Sequence, residues 1–308
     1  MIEKGKGFIP VMLTPFKDNG AIDFDGLTEL TEYYLASGAS GLFANCLSSE
    51  MYNLTSEERL QLVEHVVKVV NGRVTVVATG TFKSPPEEQA GFMKRMYDKG
   101  VAAVIMITGI LAQKNESDEV LDRNIFRLLE LTGQIPLGFY ECPVPYKRVL
   151  SAEQLGRFVD TGRIIYHKDT SLDLDAIKAK NKVCATHKDF GLYDVYMAHA
   201  VASLKAGSAG LSPIEGNFFP ELTVWLCKNY NNARLAEEVN KAQQFFITEA
   251  PSMHHIYPMS AKYYLQQGGL KISTFARTGK ANRFTSEVKQ QVDALREKYT
   301  ALKSMLSI

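Results

Sequence analysis

The sequence predicts an α/β protein, a closed (β/α)8 TIM barrel with a C-terminal helical extension, and three observations carry that expectation. From residue 7 to about 230, short apolar or β-branched runs alternate with longer stretches of helical period, as repeated βα units feeding a parallel sheet would. Eight such strand-like runs can be placed, and eight strands each followed by a helix argue for closure rather than for an open doubly wound sheet. After residue 230 the pattern changes to helices alone. The expected division is a barrel domain over 1–230, bearing the active-site face, and a helical extension over 231–308.

In chain order the runs are 8–13 (FIPVML), 41–45, 73–78, 102–107, 135–139, 163–167, 189–192 and 209–212. Helices are expected between them over 23–37, 55–71, 84–98, 116–132, 151–160, 171–181 and 194–206, with an eighth over 219–229. Thr55 followed by Glu58 reads as a capping box, and so does Ser84 followed by Glu87, with Pro85 at the first helical position. Gly38, Gly72 and Gly100 supply helix stops. In the extension, helices are expected over 233–248, 254–267 and 284–305, separated by Pro251, Pro258 and the pair Gly268–Gly269. No repeat of solenoid period, low-complexity tract or charge block interrupts the pattern.

Composition narrows the partners. Of the 308 residues, 45% are hydrophobic and 22% charged, which excludes general disorder. Lys and Arg total 35 against 34 Asp and Glu, so a net charge of +1 offers no global attraction to nucleic acid or to an acidic membrane. Small molecules are the expected partners. Cys46, Cys142, Cys184 and Cys227 stand far apart without a CxxC pair, which suits reduced thiols in a cytoplasmic protein rather than a zinc site or a disulfide framework. Pro10 and Pro15 cut the apolar run near the basic start, so a signal peptide is not expected, and no run approaches the length of a membrane span.

In a barrel of this kind the residues just after each strand build the active-site face. Lys168 comes directly after the sixth run, RIIYH, at its carboxyl end, and there it points into the barrel mouth. Partial burial can bring such an amine from near 10.4 toward ~7–8, where it can form an imine with a ketone. The plainer reading is a loop lysine paired with Asp169. Tyr140 ends the fifth run in GFYECPVPYKR, so its phenol can share the opening with Lys168 and pass protons, or simply serve as an amphipathic rim tyrosine. The second run leads into NCLSSE, where consecutive N–H groups with the Ser48 and Ser49 hydroxyls can bind a carboxylate, or only cap a turn. His254 and His255 have no third ligand nearby, so packing or surface roles are expected, and no metal site. No P-loop, GxGxxG, HExxH or GxSxG motif is present.

Taken in order, GFIPVMLTPF, GASGLF with SSEMYNLTSEER, GFYECPVP, IIYHKDTSLDL and AGSAGLSPIEGNFFPEL resemble the dihydrodipicolinate synthase and N-acetylneuraminate lyase family of class I aldolases, over about residues 5–280. The resemblance implies that Lys168 is the Schiff-base lysine and Tyr140 the proton relay, with no metal or organic cofactor. It also implies a pyruvate-like keto acid as substrate and a homo-oligomer, tetramer or dimer. Ser48, Ser49 and the backbone of Leu47 are implied to hold the keto-acid carboxylate, and the Ser212–Glu215 stretch, Ser212 included, to shape the far end of the cavity. The chain also departs from the family. Leu47 and Ser48 stand where two hydroxyl residues are usual, and Ile110 or Leu111 where synthases place a tyrosine over a neighbouring subunit's site. Pro145 replaces the arginine that meets aspartate semialdehyde, with Lys147 and Arg148 close by, and Glu141 adds an acid near the second substrate. These departures favour a 2-keto acid such as a 2-keto-3-deoxy sugar acid, with 4-hydroxy-tetrahydrodipicolinate synthesis and a non-catalytic keto-acid sensor as alternatives.

Overall fold

The computed structural model describes residues 6–279 and 281–306; residues 1–5, with the basic start of the chain, and 280, 307 and 308, within the expected extension, lie outside the described residues. Eight parallel strands form one sheet: β1 (Gly7–Phe8), β2 (Gly41–Phe43), β3 (Thr75–Thr79), β4 (Ala103–Ile107), β5 (Leu137–Tyr140), β6 (Ile164–Asp169), β7 (Gly191–Asp194) and β8 (Gly210–Leu211). Each pairs with its neighbour in sequence from β2 to β8, and β8 pairs with β1. A parallel bridge between Val11 and Phe43 closes the ring. The first strand is shorter than the expected 8–13 because Pro10 has no N–H for the ladder; only its carbonyl takes part, accepting from Phe43. At the β1–β8 seam the backbones approach so closely that a Cβ on Gly210 would lie 1.8 Å from the Gly7 carbonyl oxygen.

Helices cover the barrel: α1 (Phe24–Ala36), α2 (Ser56–Val70), α3 (Pro86–Tyr97), a single turn α4 (Thr108–Leu111) that was not expected, α5 (Asp118–Leu131), α6 (Ala152–Val159), α7 (Leu174–Val183), α8 (Ala200–Lys205) and α9 (Pro220–Asn229). The Thr55–Glu58 capping box forms. The one expected at Ser84 does not: α3 begins at Pro86, Pro85 holds the cap position, and Ser84 Oγ bonds the Phe82 carbonyl at 3.4 Å. The cause is steric, since Pro85 itself precedes a proline and is pushed out of the helical region. The helix therefore starts one residue later than the spacing suggested.

Three helices follow: α10 (Ala236–His254), α11 (Met259–Gln267) and α12 (Ser286–Leu306). Pro251 was expected to separate two helices, but α10 runs through it to His254. A proline inside a helix removes one hydrogen bond, here to the Ile247 carbonyl, and the chain tolerates this loss. A cluster of Phe218, Phe219, Phe245, Tyr264 and Tyr299 joins the extension to α9, with the Phe219 and Tyr299 rings 4.3 Å apart. The apolar core runs unbroken from the barrel into these helices. Among the described residues no helix is long and apolar enough to cross a membrane.

Candidate active site

Strand periodicity decides which side chains enter the mouth. Tyr140 and Lys168 are register partners across β5 and β6. Alternation sends Tyr166 and Lys168 into the barrel and His167 and Asp169 outward, and in the same way Tyr140 inward and Glu141 outward. The Lys168 Nζ stands 4.2 Å from the centroid of the Tyr140 ring. Both groups are buried, and below them Tyr166 stacks on Tyr193 and meets Phe43 edge-on. Among the described residues no carboxylate lies within ion-pair distance of Lys168. Burial therefore lowers its pKa to about 8, against the opposing pull of the Cys46 and Cys142 sulfurs and then the Glu215 and Asp194 carboxylates. Burial likewise pushes the Tyr140 phenol well above its ordinary value, so it is a proton donor at neutral pH.

The plainer pairing of Lys168 with Asp169 does not occur. Asp169 and Glu141 face outward onto α7, where the Lys180 Nζ lies 2.6 Å from each. Glu141 also accepts from the N–H groups of Leu150 and Thr170, both at 3.0 Å. It thus adds no charge where a second substrate would lie. Glu141, His167 and Asp169 bring three ligand atoms within 4.8 Å of one another, but the Lys180 ammonium is the cation that the two carboxylates hold.

The loop after β2 forms a short 3-10 turn over Leu47–Ser49. Leu47 and Ser48 line the cavity at the mouth. Ser49 does not: its hydroxyl is 2.7 Å from the Met12 carbonyl oxygen and 2.8 Å from that of Ala44, and its N–H donates to the Cys46 carbonyl at 3.1 Å. The Ser49 N–H also meets the buried Cys46 sulfur in the capping box of this turn, so the Ser49 part of the expected carboxylate nest is spent on the loop itself. Ser212 likewise lies off the cavity, its hydroxyl donating to the Ile9 carbonyl at 2.7 Å across the β8–β1 seam.

Sequence reasoning missed two contributions. Tyr257, between α10 and α11, is half-buried in the cavity wall and donates to Ser48 Oγ at 2.7 Å. Its oxygen in turn accepts from Asn217 Nδ2 at 2.6 Å, and Asn217 is fixed by Tyr34 and by the Val11 carbonyl. The second is His254. Carried to the cavity by the unbroken α10, it pairs with the buried Glu215 at 2.9 Å, and that carboxylate raises its pKa. Nothing in the local sequence marks either residue, because both come from the extension. Of the two loop cations, Lys147 lines the cavity, whereas Arg148 is bound to Asp118 and to the Gln113 and Glu116 carbonyls.

A parallel barrel with an amine of lowered pKa, a phenol and a hydroxyl gathered at the carboxyl ends of its strands is built as an enzyme of the imine-forming class. The chain belongs to the dihydrodipicolinate synthetase family, whose model matches residues 4–298, and it is accordingly a Schiff-base lyase. It is 29% identical over 268 residues to the 4-hydroxy-tetrahydrodipicolinate synthase of Bacillus velezensis, covering 85% of this chain and 89% of that one. With the enzyme of the same name from Bacillus subtilis it shares 28% over 269 residues, with the same coverage. The fold matches a dihydrodipicolinate synthase of Bacillus anthracis with a TM-score of 0.84 at 22% identity, over 96% of this chain and 99% of that one. It matches equally a prophage protein of the family from E. coli K12, solved in complex with pyruvate, at TM-score 0.84 and 22% identity over 97% and 98%. Family membership sets aside the non-catalytic sensor.

Proposed function

We propose that the enzyme acts on pyruvate or a related 2-keto acid through Lys168. The observation that carries this reading is a buried amine beside a phenol with, among the described residues, no carboxylate within ion-pair distance. Neutral Lys168 Nζ adds to the ketone carbon, the carbinolamine loses water, and the protonated imine draws electrons from the adjacent carbon to give an enamine. Carbon–carbon bond formation, cleavage or loss of water then follows. Tyr140 passes protons in the carbinolamine steps. The Ser48 hydroxyl holds the substrate carboxylate, and Leu47 shapes the wall beside it.

Tyr257 supports the relay from within the same chain. Because Asn217 donates to the Tyr257 oxygen, the phenolic proton is directed at Ser48, which leaves the Ser48 proton for Tyr140 or the substrate. A homo-oligomer, tetramer or dimer, remains part of the proposal, but the relay needs no hydroxyl from a neighbour. A cytoplasmic setting suits the four buried free thiols. For the substrate portion beyond the imine, the resemblance raises a 2-keto-3-deoxy sugar acid and, as the alternative, the aspartate semialdehyde of 4-hydroxy-tetrahydrodipicolinate synthesis. Pro145 offers the latter no charge, and Lys147 is the one loop cation of the pair that faces the cavity. Incubation with pyruvate and borohydride, then peptide mass spectrometry, tests the core of the proposal: a reduced adduct on Lys168 is expected, and an unmodified Lys168 at saturating pyruvate sinks it.

A further inference from the structure

The cavity encloses about 800 Å3, far more than pyruvate requires. Lys168, Tyr140 and Ser48 mark its reactive end. Beyond them the walls are mostly apolar, formed by Val144, Leu172, Met197, Ile214, Ile247 and Pro251. The charged groups there are already engaged: Glu215 with His254 at 2.9 Å, and Lys147 with the Thr170 carbonyl at 2.8 Å. A polyhydroxylated chain would meet few unspent partners.

The rim adds an independent observation. Val144, Leu172, Tyr196 and Ile247, at 41%, 47%, 39% and 40% exposure, are among the large apolar side chains most open to solvent, and all four line this cavity. Leu172 also sits at φ +62°, in the left-handed region, where a branched side chain costs ~1 kcal/mol and Asn or Gly fits more easily. An exposed leucine in that conformation is doubly unfavourable unless something apolar covers it.

We infer that the distal half of the cavity binds an apolar group, so that the substrate is a 4-hydroxy-2-keto acid carrying an aromatic or branched aliphatic substituent on C4. The inference rests on the Lys168 reading above and names its second reactant, an apolar aldehyde. In cleavage the C3–C4 bond breaks and its electrons pass toward the imine nitrogen to give the enamine. The C4 hydroxyl gives up its proton and becomes the aldehyde carbonyl. Protonation of the enamine at C3 and hydrolysis by one water return pyruvate and the free lysine.

The test measures kcat/KM for aldol addition of pyruvate to benzaldehyde and to glyceraldehyde, alongside borohydride trapping with pyruvate alone. Benzaldehyde is expected to be preferred by roughly tenfold or more, the scale at which apolar pockets discriminate. Leu172→Asn, which relieves the backbone, and Ile247→Asn on the facing helix, both at exposed positions, should each cut that ratio severalfold while the Lys168 adduct persists. An adduct with no preference for benzaldehyde, or with no product from either aldehyde, overturns the apolar assignment and leaves the imine reading intact; absence of the adduct overturns both. Unchanged selectivity in both variants, with a lowered sedimentation mass, would assign the rim to a second copy of the chain and also overturn the inference.

Discussion

Lys168 is the penultimate residue of β6 and Lys180 lies on α7 just behind it, and both are almost fully buried, yet their surroundings drive them in opposite directions. Lys168 faces a phenol ring and burial lowers its pKa to about 8. Burial acts on Lys180 in the same sense, but Glu141 and Asp169, each at 2.6 Å, outweigh it and hold the ammonium above its ordinary value. The difference follows from which face of the same strands each lysine meets. Outward-pointing carboxylates fix one amine as a permanent cation, whereas in the mouth the Glu215 carboxylate pairs with His254 and none among the described residues lies within ion-pair distance of Lys168, which leaves that amine able to lose its proton. Burial alone therefore does not make a lysine a nucleophile; the absence of a counter-ion does.

The sharpest way to break this contrast is Lys168→Met, which is expected to abolish the pyruvate adduct and to lower turnover by at least about 10³-fold while the fold persists. The mirror substitution, Lys180→Met, leaves Glu141 and Asp169 buried with neutral donors and, among the described residues, only His167 at 3.3 and 3.5 Å as a group able to carry positive charge beside them. A loss of about 3–5 kcal/mol in urea unfolding is expected, because unpaired buried carboxylates are costly, and whatever folded protein remains should still form the Lys168 adduct. Between these lies Tyr257→Phe, which removes the proton directed at Ser48; kcat should fall about 10–100-fold with KM for pyruvate little changed, read from steady-state kinetics. If that variant alters KM alone, Tyr257 serves packing and not the relay.

The titration of Lys168 sharpens the contrast further. Only the neutral amine adds to a ketone, so the rate of imine trapping should rise about tenfold per pH unit below 8 and level off above it. A rate independent of pH between 6 and 8 would mean that Lys168 is not the titrating group. The smallest effect belongs to a partly exposed pair. Glu58, hydrogen-bonded to Arg277, has its carboxyl lowered from 4.5 to about 2. Its folded value is depressed, so the stability it contributes is present above pH 4.5 and is lost as pH falls toward 2. Glu58→Gln should cost about 1 kcal/mol at neutral pH after solvent screening, and the difference from the parent should vanish in acid unfolding curves.

What was legible in the sequence follows from local rules. The run RIIYH is a strand, the lysine directly after it takes the last inward position, and alternation by itself sends Glu141 and Asp169 to the other face. The same alternation places Glu141, expected as an acid near the second substrate, behind the strand with Lys180. Ser49 and Ser212 stand beside or between cavity residues in the chain, but their hydroxyls were claimed by carbonyls of the first strand region, which only the closed barrel brings near. Tyr257 and His254 were illegible for the corresponding reason: α10 spans the proline at 251 and returns the extension to the mouth.

The sequence by itself determined the number and order of strands, the helices between them and the placing of Tyr140 and Lys168 at adjacent strand ends, because hydrophobic period, caps and breakers act over a few residues. Tertiary structure alone decided which buried lysine kept a counter-ion, which hydroxyls face the cavity, and that a tyrosine from the extension completes the wall behind Ser48. Those outcomes depend on groups distant in the chain meeting in a site with little water, where each carbonyl or carboxylate can satisfy only the donors that geometry places within reach.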